Sequence, residues 1–271
     1  MAGTTAPSAA VGPAVDDPAG EAKPRLSFRG IDLRFPDGTR ALEGIDLDVA
    51  RGEFVSLIGP SGCGKSTLLR LASGLLEPTS GSVDCDIVGL GYVFQDPTLL
   101  PWRTVQRNVE LYAELHGVPK AERAERARRA LETVGLEGAE RKYPKALSGG
   151  MRSRVSLARS LILRPTLFLF DEPFAAVDEI TRERLNDEIV RLFCAQRFAA
   201  AFVTHSIAEA CFLASRVVVM TAGPGRIHAT VDVPFAYPRT PELRFDPAFV
   251  EITKQVSALL REGDARGGAR A

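Results

Sequence analysis

The sequence lacks the features that would place the chain inside a membrane or in an oxidising compartment. It has no apolar run of about 18 residues, the length that a membrane-spanning helix requires. Residues Met1–Gly20 have neither a basic start nor an apolar stretch, so we expect no secretory signal there. The four cysteines show no CxxC or zinc-type spacing, and we expect reduced thiols in the cytoplasm: Cys63, Cys85, Cys194 and Cys211.

The sequence also lacks an excess of either charge. Its 271 residues include 34 Lys plus Arg and 34 Asp plus Glu, so the formal net charge is zero. A protein that holds nucleic acid by bulk electrostatics would carry a basic excess, and we therefore expect no nucleic-acid partner. The run KAERAERARR at Lys120–Arg129 alternates acidic and basic residues, which favours a solvated helix face over a nucleic-acid patch.

What the sequence does contain is one α/β domain between two polar ends. The stretch 1–24 is rich in Ala, Gly, Pro, Thr and Asp, and we expect a disordered leader there. Residues 25–234 show no internal repeat and form a single predicted domain. Residues 235–271 predict a short helical extension, with a helix that ends near Leu260 and a frayed tail from Arg261.

Apolar patterns along the domain predict a mainly parallel sheet with helices between its strands. Residues Leu26–Val49 read as β-type segments around a turn at Pro36-Asp37-Gly38. The spacing of Leu and Ala over Ser66–Leu76 predicts a helix packed on a sheet, and Thr104–Gly135 is expected to be helical almost throughout. Short apolar segments predict buried strands at Glu53–Ile58, Leu167–Phe170, Ala199–Val203 and Val217–Met220.

A glycine-rich segment lies between a predicted strand and a predicted helix. It fits the phosphate-loop pattern G-x-x-x-x-G-K-[ST] without a gap, in the context that the motif requires. Backbone N–H groups and the positive end of the helix would hold phosphates, Lys65 would reach the outer ones and Ser66 would bind Mg²⁺. Because Cys63 lies near a helix N-terminus, we expect a lowered thiol pKa. The loop comprises Gly59, Pro60, Ser61, Gly62, Cys63, Gly64, Lys65 and Ser66.

Polar side chains also follow two other predicted strands and the short apolar segment Gly91–Phe94. Asp171 ends one strand and could hold Mg²⁺, and Glu172 could accept a proton from water that attacks a γ-phosphate. His205 follows the next strand, at the sheet edge where α/β proteins bind ligands, which favours contact with the γ-phosphate over a structural role. Gln95, after the segment Gly91–Phe94, could reach the metal and the attacking water.

The run Leu147-Ser148-Gly149-Gly150-Met151 completes a set of motifs. Together with GPSGCGKST, the Gln95 segment, LFLFDEP and His205, it resembles the ATP-binding cassette family over Leu26–Thr230, in order and spacing. The resemblance implies an α/β fold of the P-loop NTPase type within a nucleotide-binding domain at 25–234. That domain would have a mainly parallel core sheet, an N-terminal antiparallel β subdomain and an inserted α-helical subdomain at about 96–160.

The resemblance also implies roles for individual residues. Phe35 would stack on adenine, and the phosphate-binding segment would extend to Thr67. The segment of Ser148, Gly149, Gly150 and Met151 would start a helix. The N–H groups of that helix start would contact ATP that is bound to a second copy of the chain. Asp178 would lie at the same interface between the two copies. The surface from Gln95 to Asn108, including Leu100-Pro101-Trp102, would touch a membrane permease.

The finer pattern is similar to importer cassettes of the nitrate, sulfonate and taurine group, and some importers of thiamine precursors and related solutes resemble it as well. It rests on Leu99–Trp102, LSGGMR, DEPFAAVD and the segment after Thr204. The resemblance implies hydrolysis of ATP with Mg²⁺ at the cytoplasmic face of the membrane, coupled to import of a small solute. The implied partners are a second copy, a permease and an extracytoplasmic solute-binding protein.

Two other functions are compatible with a single cassette motif set. A soluble cassette in translation or DNA repair usually carries two cassettes or a long coiled coil, and this sequence has neither. A degenerate cassette could bind ATP and only regulate. The presence of Lys65, Asp171, Glu172 and His205 disfavours that interpretation.

Overall fold

The computed structural model describes residues 23–268 apart from Ala176. Most of the predicted leader and the last three residues therefore lie outside the described residues. The strands are β1 Leu26–Arg34, β2 Arg40–Val49, β3 Phe54–Ile58, β4 Ser80–Cys85, β5 Leu90–Val93, β6 Leu167–Asp171, β7 Ala199–Val203, β8 Arg216–Thr221 and β9 Arg226–Asp232. The α-helices are α1 Lys65–Ala72, α2 Val105–Val109, α3 Leu111–Leu115, α4 Lys120–Thr133, α5 Gly149–Leu161, α6 Glu179–Gln196, α7 Ile207–Leu213 and α8 Pro247–Gly268.

Two sheets organise these elements. The larger has six strands in the order β5-β6-β7-β3-β8-β9, with parallel pairing everywhere except between β8 and β9. The smaller has three antiparallel strands in the order β2-β1-β4. The predicted fold class, a mainly parallel core with an N-terminal antiparallel part, is confirmed.

The three central strands of the larger sheet are short and apolar because both of their faces are covered. Every residue of β3, β6 and β7 is buried, as expected for parallel strands between two layers. Side chains alternate between the faces, so Phe168, Phe170 and Phe202 join one core with the helical layer. Leu167 and Leu169 join a second core with α1 and the smaller sheet. This burial fixes the ends of β3, β6 and β7 in space.

The predicted helix over Thr104–Gly135 is divided into α2, α3 and α4. The division before α4 falls at Gly117, whose φ is 73°, and at Pro119, which precedes the first residue of α4. Proline has no N–H to continue the helix ladder, so a new helix begins there. Along α4 the charged run forms ion pairs within itself, for example between Glu125 and Arg128, which agrees with the predicted solvated face.

The C-terminal segment packs on its own domain. Buried Arg239 donates hydrogen bonds of 2.8–2.9 Å to the carbonyl oxygens of Cys211, Phe212 and Ala214 at the end of α7. Helix α8 continues past the predicted end at Leu260 to Gly268, because Gly263 lies against His228 and gives the helix a further packing contact. Part of the predicted frayed tail is therefore helical. Among the described residues, no helix is long and apolar enough to cross a bilayer.

Candidate active site

The phosphate loop turns sharply between the end of β3 and the start of α1. Gly64 has φ 92°, a left-handed conformation that residues with a Cβ rarely adopt. A Cβ at Gly64 would lie 2.5 Å from the Leu42 side chain, and one at Gly59 would lie 2.8 Å from the Cys63 Sγ. Both glycines are therefore required by space, and the loop is held closely against β2.

Lys65 is turned into this loop. Its side chain is almost fully buried, and its Nζ donates hydrogen bonds of 2.8 and 2.9 Å to the carbonyl oxygens of Gly59 and Pro60. The Cys63 Sγ is a third, weaker partner at 3.7 Å. A buried ammonium that is satisfied by neutral groups alone is an attractive partner for an anion. The loop thus presents a fixed positive charge beside the N-terminus of α1, as the motif predicts.

The strand end that follows β6 faces the loop. The Ser66 hydroxyl donates a hydrogen bond of 2.6 Å to Oδ1 of Asp171, across 105 positions of sequence. Glu172 has a positive φ of 45°, which is costly for a residue with a side chain. Its N–H donates to the carbonyl oxygen of Val203 in β7 at 3.1 Å, so the neighbouring strand holds this strained turn in place.

The carboxylate of Glu172 is contacted from two sides. Nε2 of His205 lies 2.6 Å from Glu172 Oε1, and Nε2 of Gln95 lies 3.4 Å from Glu172 Oε2. These three side chains and the phosphate loop line one cleft of about 270 Å³. Gln95 and Glu172 lie 77 positions apart in the sequence, and Glu172 and His205 lie 33 apart; the parallel sheet brings them together.

The oxygen atoms at this edge fit a magnesium ion. Ser66 and Asp171 supply a hydroxyl and a carboxylate, and Gln95 lies in the same cleft. Mg²⁺ prefers oxygen ligands and is usually held by one or two protein groups together with phosphates and water. Among the described residues, no group of three or more His, Cys, Asp or Glu could hold a metal without such help. The donor set therefore suits a metal that arrives with a polyphosphate.

Cys63 differs from its prediction. Burial raises the pKa of the Cys63 thiol, and nearby Lys65 only partly offsets that effect. The side chain is fully buried, so desolvation of a thiolate outweighs the helix N-terminus that was expected to lower the pKa. The predicted lowering of the Cys63 thiol pKa is therefore wrong.

The segment that begins at Ser148 lies outside the cleft. Ser148 caps α5, and its Oγ accepts a hydrogen bond of 3.2 Å from the Met151 N–H. The predicted helix start is thus confirmed, with Gly149 and Gly150 in the first turn. Ser148 is exposed and is not among the residues that line the cleft of its own chain.

Asp178 caps a second helix in the same way. Its Oδ1 accepts a hydrogen bond of 3.0 Å from the Thr181 N–H at the start of α6. That N–H lowers the pKa of Asp178, which keeps the exposed carboxylate ionised. A Cβ atom added to Gly150 would lie 3.5 Å from the Thr181 side chain and 3.6 Å from the Val177 side chain. The Ser148 segment and the start of α6 are therefore neighbours.

Phe35 lies at the turn between β1 and β2. Its N–H donates to the carbonyl oxygen of Thr39 at 2.9 Å, and its side chain is partly buried against the core that contains Cys63. The aromatic ring is thus near the loop side of the domain, although Phe35 is not among the residues that line the cleft.

Glu209 lies in the segment after Thr204, in the first turn of α7, and the sequence did not indicate a role for it. Its buried carboxylate accepts a hydrogen bond from the Thr204 hydroxyl, which in turn accepts the Ser206 N–H at 3.0 Å. Burial raises the pKa of Glu209. The spacing Ser206-x-x-Glu209 is that of a helix capping box, which was the available signal. His205 is therefore held between two residues that Glu209 fixes.

Comparisons with known proteins agree with this geometry. The family model described as ABC transporter matches residues 42–175. An aliphatic sulfonates import ATP-binding protein of Mesorhizobium japonicum is 45% identical over 81% of this chain and 83% of its own length. A taurine import ATP-binding protein of Chromobacterium violaceum is 41% identical over 86% of this chain and 94% of its own length.

Solved structures show the same fold. The dimeric bacterial ABC transporter cassette MJ0796 is 30% identical and matches 78% of this chain and 100% of its own length, with a TM-score of 0.70. A further structure of that cassette is a dimer in a post-hydrolysis state with ADP and Pi, with a TM-score of 0.69. With the phosphate loop, the paired acids and the Ser148 segment all in place, this chain belongs to the ABC transporter family as an ATP-binding subunit with ATPase activity.

Proposed function

We propose that this chain is the motor subunit of an importer and that two copies close around two molecules of Mg-ATP. The observation that carries the proposal is the division of its motifs between two surfaces. The loop with Lys65, together with Glu172, His205 and Gln95, lines one cleft, whereas Ser148 is exposed elsewhere. A chain arranged in this way needs a second copy to complete each site.

In this proposal Glu172 is the general base of hydrolysis. Its carboxylate accepts the proton of the attacking water, while Gln95 orients both the carboxylate and that water. His205, whose side chain is 48% exposed, contacts the γ-phosphate when nucleotide is bound. The strained backbone of Glu172 keeps the carboxylate at the rim of the cleft, so little rearrangement is needed before proton transfer.

The rest of the predicted site binds nucleotide and metal. The N–H groups of the segment from Gly59 to Thr67 hold the phosphates, with Lys65 as the fixed charge. Ser66, Asp171 and Gln95 would hold Mg²⁺, which would neutralise phosphate charge when bound. Phe35 stacks on the adenine from the turn between β1 and β2.

The Ser148 segment and Asp178 act on the nucleotide of the other copy. Both residues are exposed and cap the N-terminus of a helix, which supports an anion-binding role across an interface. The buried Cys63 is unsuited to crosslinking, but Ser61 and Ser148 are both exposed. Ser61→Cys in one chain and Ser148→Cys in another should form a disulfide between copies when ATP is added.

That crosslinking experiment tests the shared site. The two substitutions are carried on separate chains of different mass, so that only a bond between copies gives the mixed product. Ser73→Cys replaces Ser148→Cys as the control, since Ser73 caps the end of α1 that is farther from the phosphate loop. No ATP-dependent mixed product, or an equal yield with Ser73→Cys, would show that the proposed dimer is wrong.

The surface for the permease is the segment around Trp102. This indole is 72% exposed, yet its loop is rigid, because buried Asn108 donates to the carbonyl oxygens of Leu100, Arg103 and Thr104 at 3.0–3.1 Å. An exposed aromatic on a fixed loop is typical of a protein contact. Trp102→Ala should abolish co-purification with the permease, whereas Phe245→Ala, at another exposed aromatic, should not.

The solute and the cellular setting come from the relatives. The relatives that serve aliphatic sulfonate and taurine import support import of a sulfonate-type anion such as taurine. A solute-binding protein would act outside the membrane, with this chain peripheral on the cytoplasmic face. The division into a leader at 1–24, a cassette at 25–234 with a helical part at about 96–160, and a C-terminal extension belongs to the same proposal. Uptake of labelled taurine and nitrate by the reconstituted system checks the solute class.

A further inference from the structure

A cavity of about 620 Å³ lies at the edge of the larger sheet opposite to the nucleotide cleft. Its lining includes Arg25, Gly52, Thr166 and Phe198, which precede β1, β3, β6 and β7. The nucleotide cleft lies beyond the other ends of β3, β6 and β7. A five-residue strand spans roughly 15 Å, so the two sites are separated by about the length of these strands.

The charge in this cavity is of one sign. Four arginines line it: Arg25, Arg51, Arg164 and Arg197. Arg25 is paired with Asp86 at 2.7 Å, and the nearby Glu53 is paired with Arg216 at 2.8 Å. Over the part of the chain that the structure describes, the other three arginines have no ion pair. The cavity therefore carries excess positive charge in a chain whose net charge is zero.

Two of these arginines have a left-handed backbone conformation. Arg164 follows α5 with φ 52°, and Arg197 ends α6 with φ 51°. Glycine or asparagine ordinarily occupies this left-handed position at a helix end, because other side chains are strained there. Arg51 in turn precedes Gly52, whose φ is 67°. Three left-handed turns thus each bring an arginine to the same cavity.

We propose that this cavity, named here the arginine pocket (Arg25, Arg51, Arg164 and Arg197), binds a small phosphate-bearing anion with several charges. Guanidinium groups pair with phosphate through two parallel hydrogen bonds, and their planar donors suit such recognition better than ammonium groups do. The cavity volume falls in the range of small-molecule sites. Thr166 and Gln196 add neutral hydrogen-bonding groups to the lining.

Inorganic pyrophosphate is the probe, and its binding to the full chain is measured by isothermal titration calorimetry. Because the phosphate loop also binds pyrophosphate, the experiment is run in the chain and in its Lys65→Ala variant. Arg51→Gln and Arg197→Asn are then added, and asparagine keeps the left-handed turn at the helix end. Each substitution should weaken binding in the Lys65→Ala background roughly tenfold, the loss expected for one charge-assisted contact.

Arg184→Gln is the matched control, since Arg184 is an exposed arginine of α6 that is not among the residues lining the pocket. It should leave pyrophosphate affinity unchanged. Complete loss of binding in Lys65→Ala alone would show that only the phosphate loop binds pyrophosphate and would overturn the proposal. An equal loss with Arg184→Gln would show unspecific surface attraction and would overturn it as well. Unchanged ATP affinity and circular dichroism of Arg51→Gln and Arg197→Asn establish that these variants fold.

Discussion

The two ends of β3, β6 and β7 differ in how their charges are arranged. At the carboxyl ends, Lys65, Asp171, Glu172 and His205 form a mixed set in which every charged group has a partner within the cleft. At the amino ends, three of the four arginines of the arginine pocket have no ion pair among the described residues. The first arrangement suits chemistry on a bound group, because acid, base and cation are already positioned. The second suits attraction of an anion.

The difference shows what a parallel sheet contributes to each end. In the loops that leave the carboxyl ends, Glu172, His205 and Gln95 lie one or two positions beyond β6, β7 and β5, so their geometry is set by the strands. Loops that arrive at the amino ends come from helices and reverse in left-handed turns at Arg164 and Arg197. A substitution at a carboxyl end should therefore change turnover, whereas one at an amino end should leave turnover alone.

The largest effect is expected from Glu172→Gln. The amide cannot accept the proton of the attacking water, so the turnover number should fall roughly 10² to 10⁴-fold while ATP still binds. Steady-state phosphate release and equilibrium binding of a fluorescent ATP analogue measure the two quantities. Glu179→Gln, at an exposed acid of α6, is the control and should retain full turnover. Undiminished phosphate release by Glu172→Gln would remove this residue from the catalytic role.

Lys65→Ala should act on binding more than on the chemical step. The substitution removes the buried cation that faces the loop, and nucleotide affinity should fall about tenfold to a hundredfold, the cost of one or more charged hydrogen bonds. Lys254→Ala, at an exposed lysine of α8, is the matched control. ATP affinity is measured by calorimetry, and equal affinities in the two variants would contradict the assigned place of the phosphates.

Glu209, near the carboxyl end of β7, should make the free energy of unfolding depend on pH. Its folded-state pKa is raised by burial above the ordinary 4.5. Protonation of Glu209 therefore makes its full contribution to stability below pH 4.5. This contribution is lost as the pH rises through the raised pKa of the folded state. Glu209→Gln keeps a hydrogen-bonding group without titrating, so its free energy of unfolding should depend less on pH above the ordinary carboxyl value of 4.5.

Urea unfolding of the chain and of Glu209→Gln at several pH values measures that difference. Glu209→Ala should in addition cost about 1–3 kcal/mol, because the Thr204 hydroxyl loses its buried partner. If Glu209 positions His205, turnover in Glu209→Ala should fall with little change in ATP affinity, and Glu209→Gln should restore part of it. Parallel pH profiles for the chain and Glu209→Gln would contradict the raised pKa.

The sequence predicted the carboxyl ends well because the relevant signals are local. A strand, a loop of fixed pattern and a helix are contiguous around Lys65, and Asp171 and Glu172 directly follow an apolar run. The contact between His205 and Glu172 could not be read in this way, because it depends on which strands are neighbours. The thiol of Cys63 was misjudged for a related reason: its burial against Gly59 comes from tertiary packing, which outweighs the local helix end.

The amino ends were not predicted at all. Arg51, Arg164 and Arg197 are single arginines separated by long stretches of sequence, and none belongs to a motif. The division of the long predicted helix was missed for a different reason. The helical pattern of apolar residues continues on both sides of Gly117 and Pro119. These two residues alone mark the break in the sequence, so the pattern did not reveal it.

The smallest effect on turnover is expected from Arg197→Asn. Asparagine tolerates the left-handed conformation that Arg197 adopts, so relief of strain should offset the loss of a cation at the end of α6. The free energy of unfolding should then change by less than about 1 kcal/mol, and phosphate release should stay within about twofold of the parent chain. Arg197→Val, whose branched side chain opposes that backbone, is the contrasting variant and should be less stable than Arg197→Asn. A large loss of turnover in Arg197→Asn would mean that the amino ends of the strands take part in hydrolysis, and the separation between the two ends would not hold.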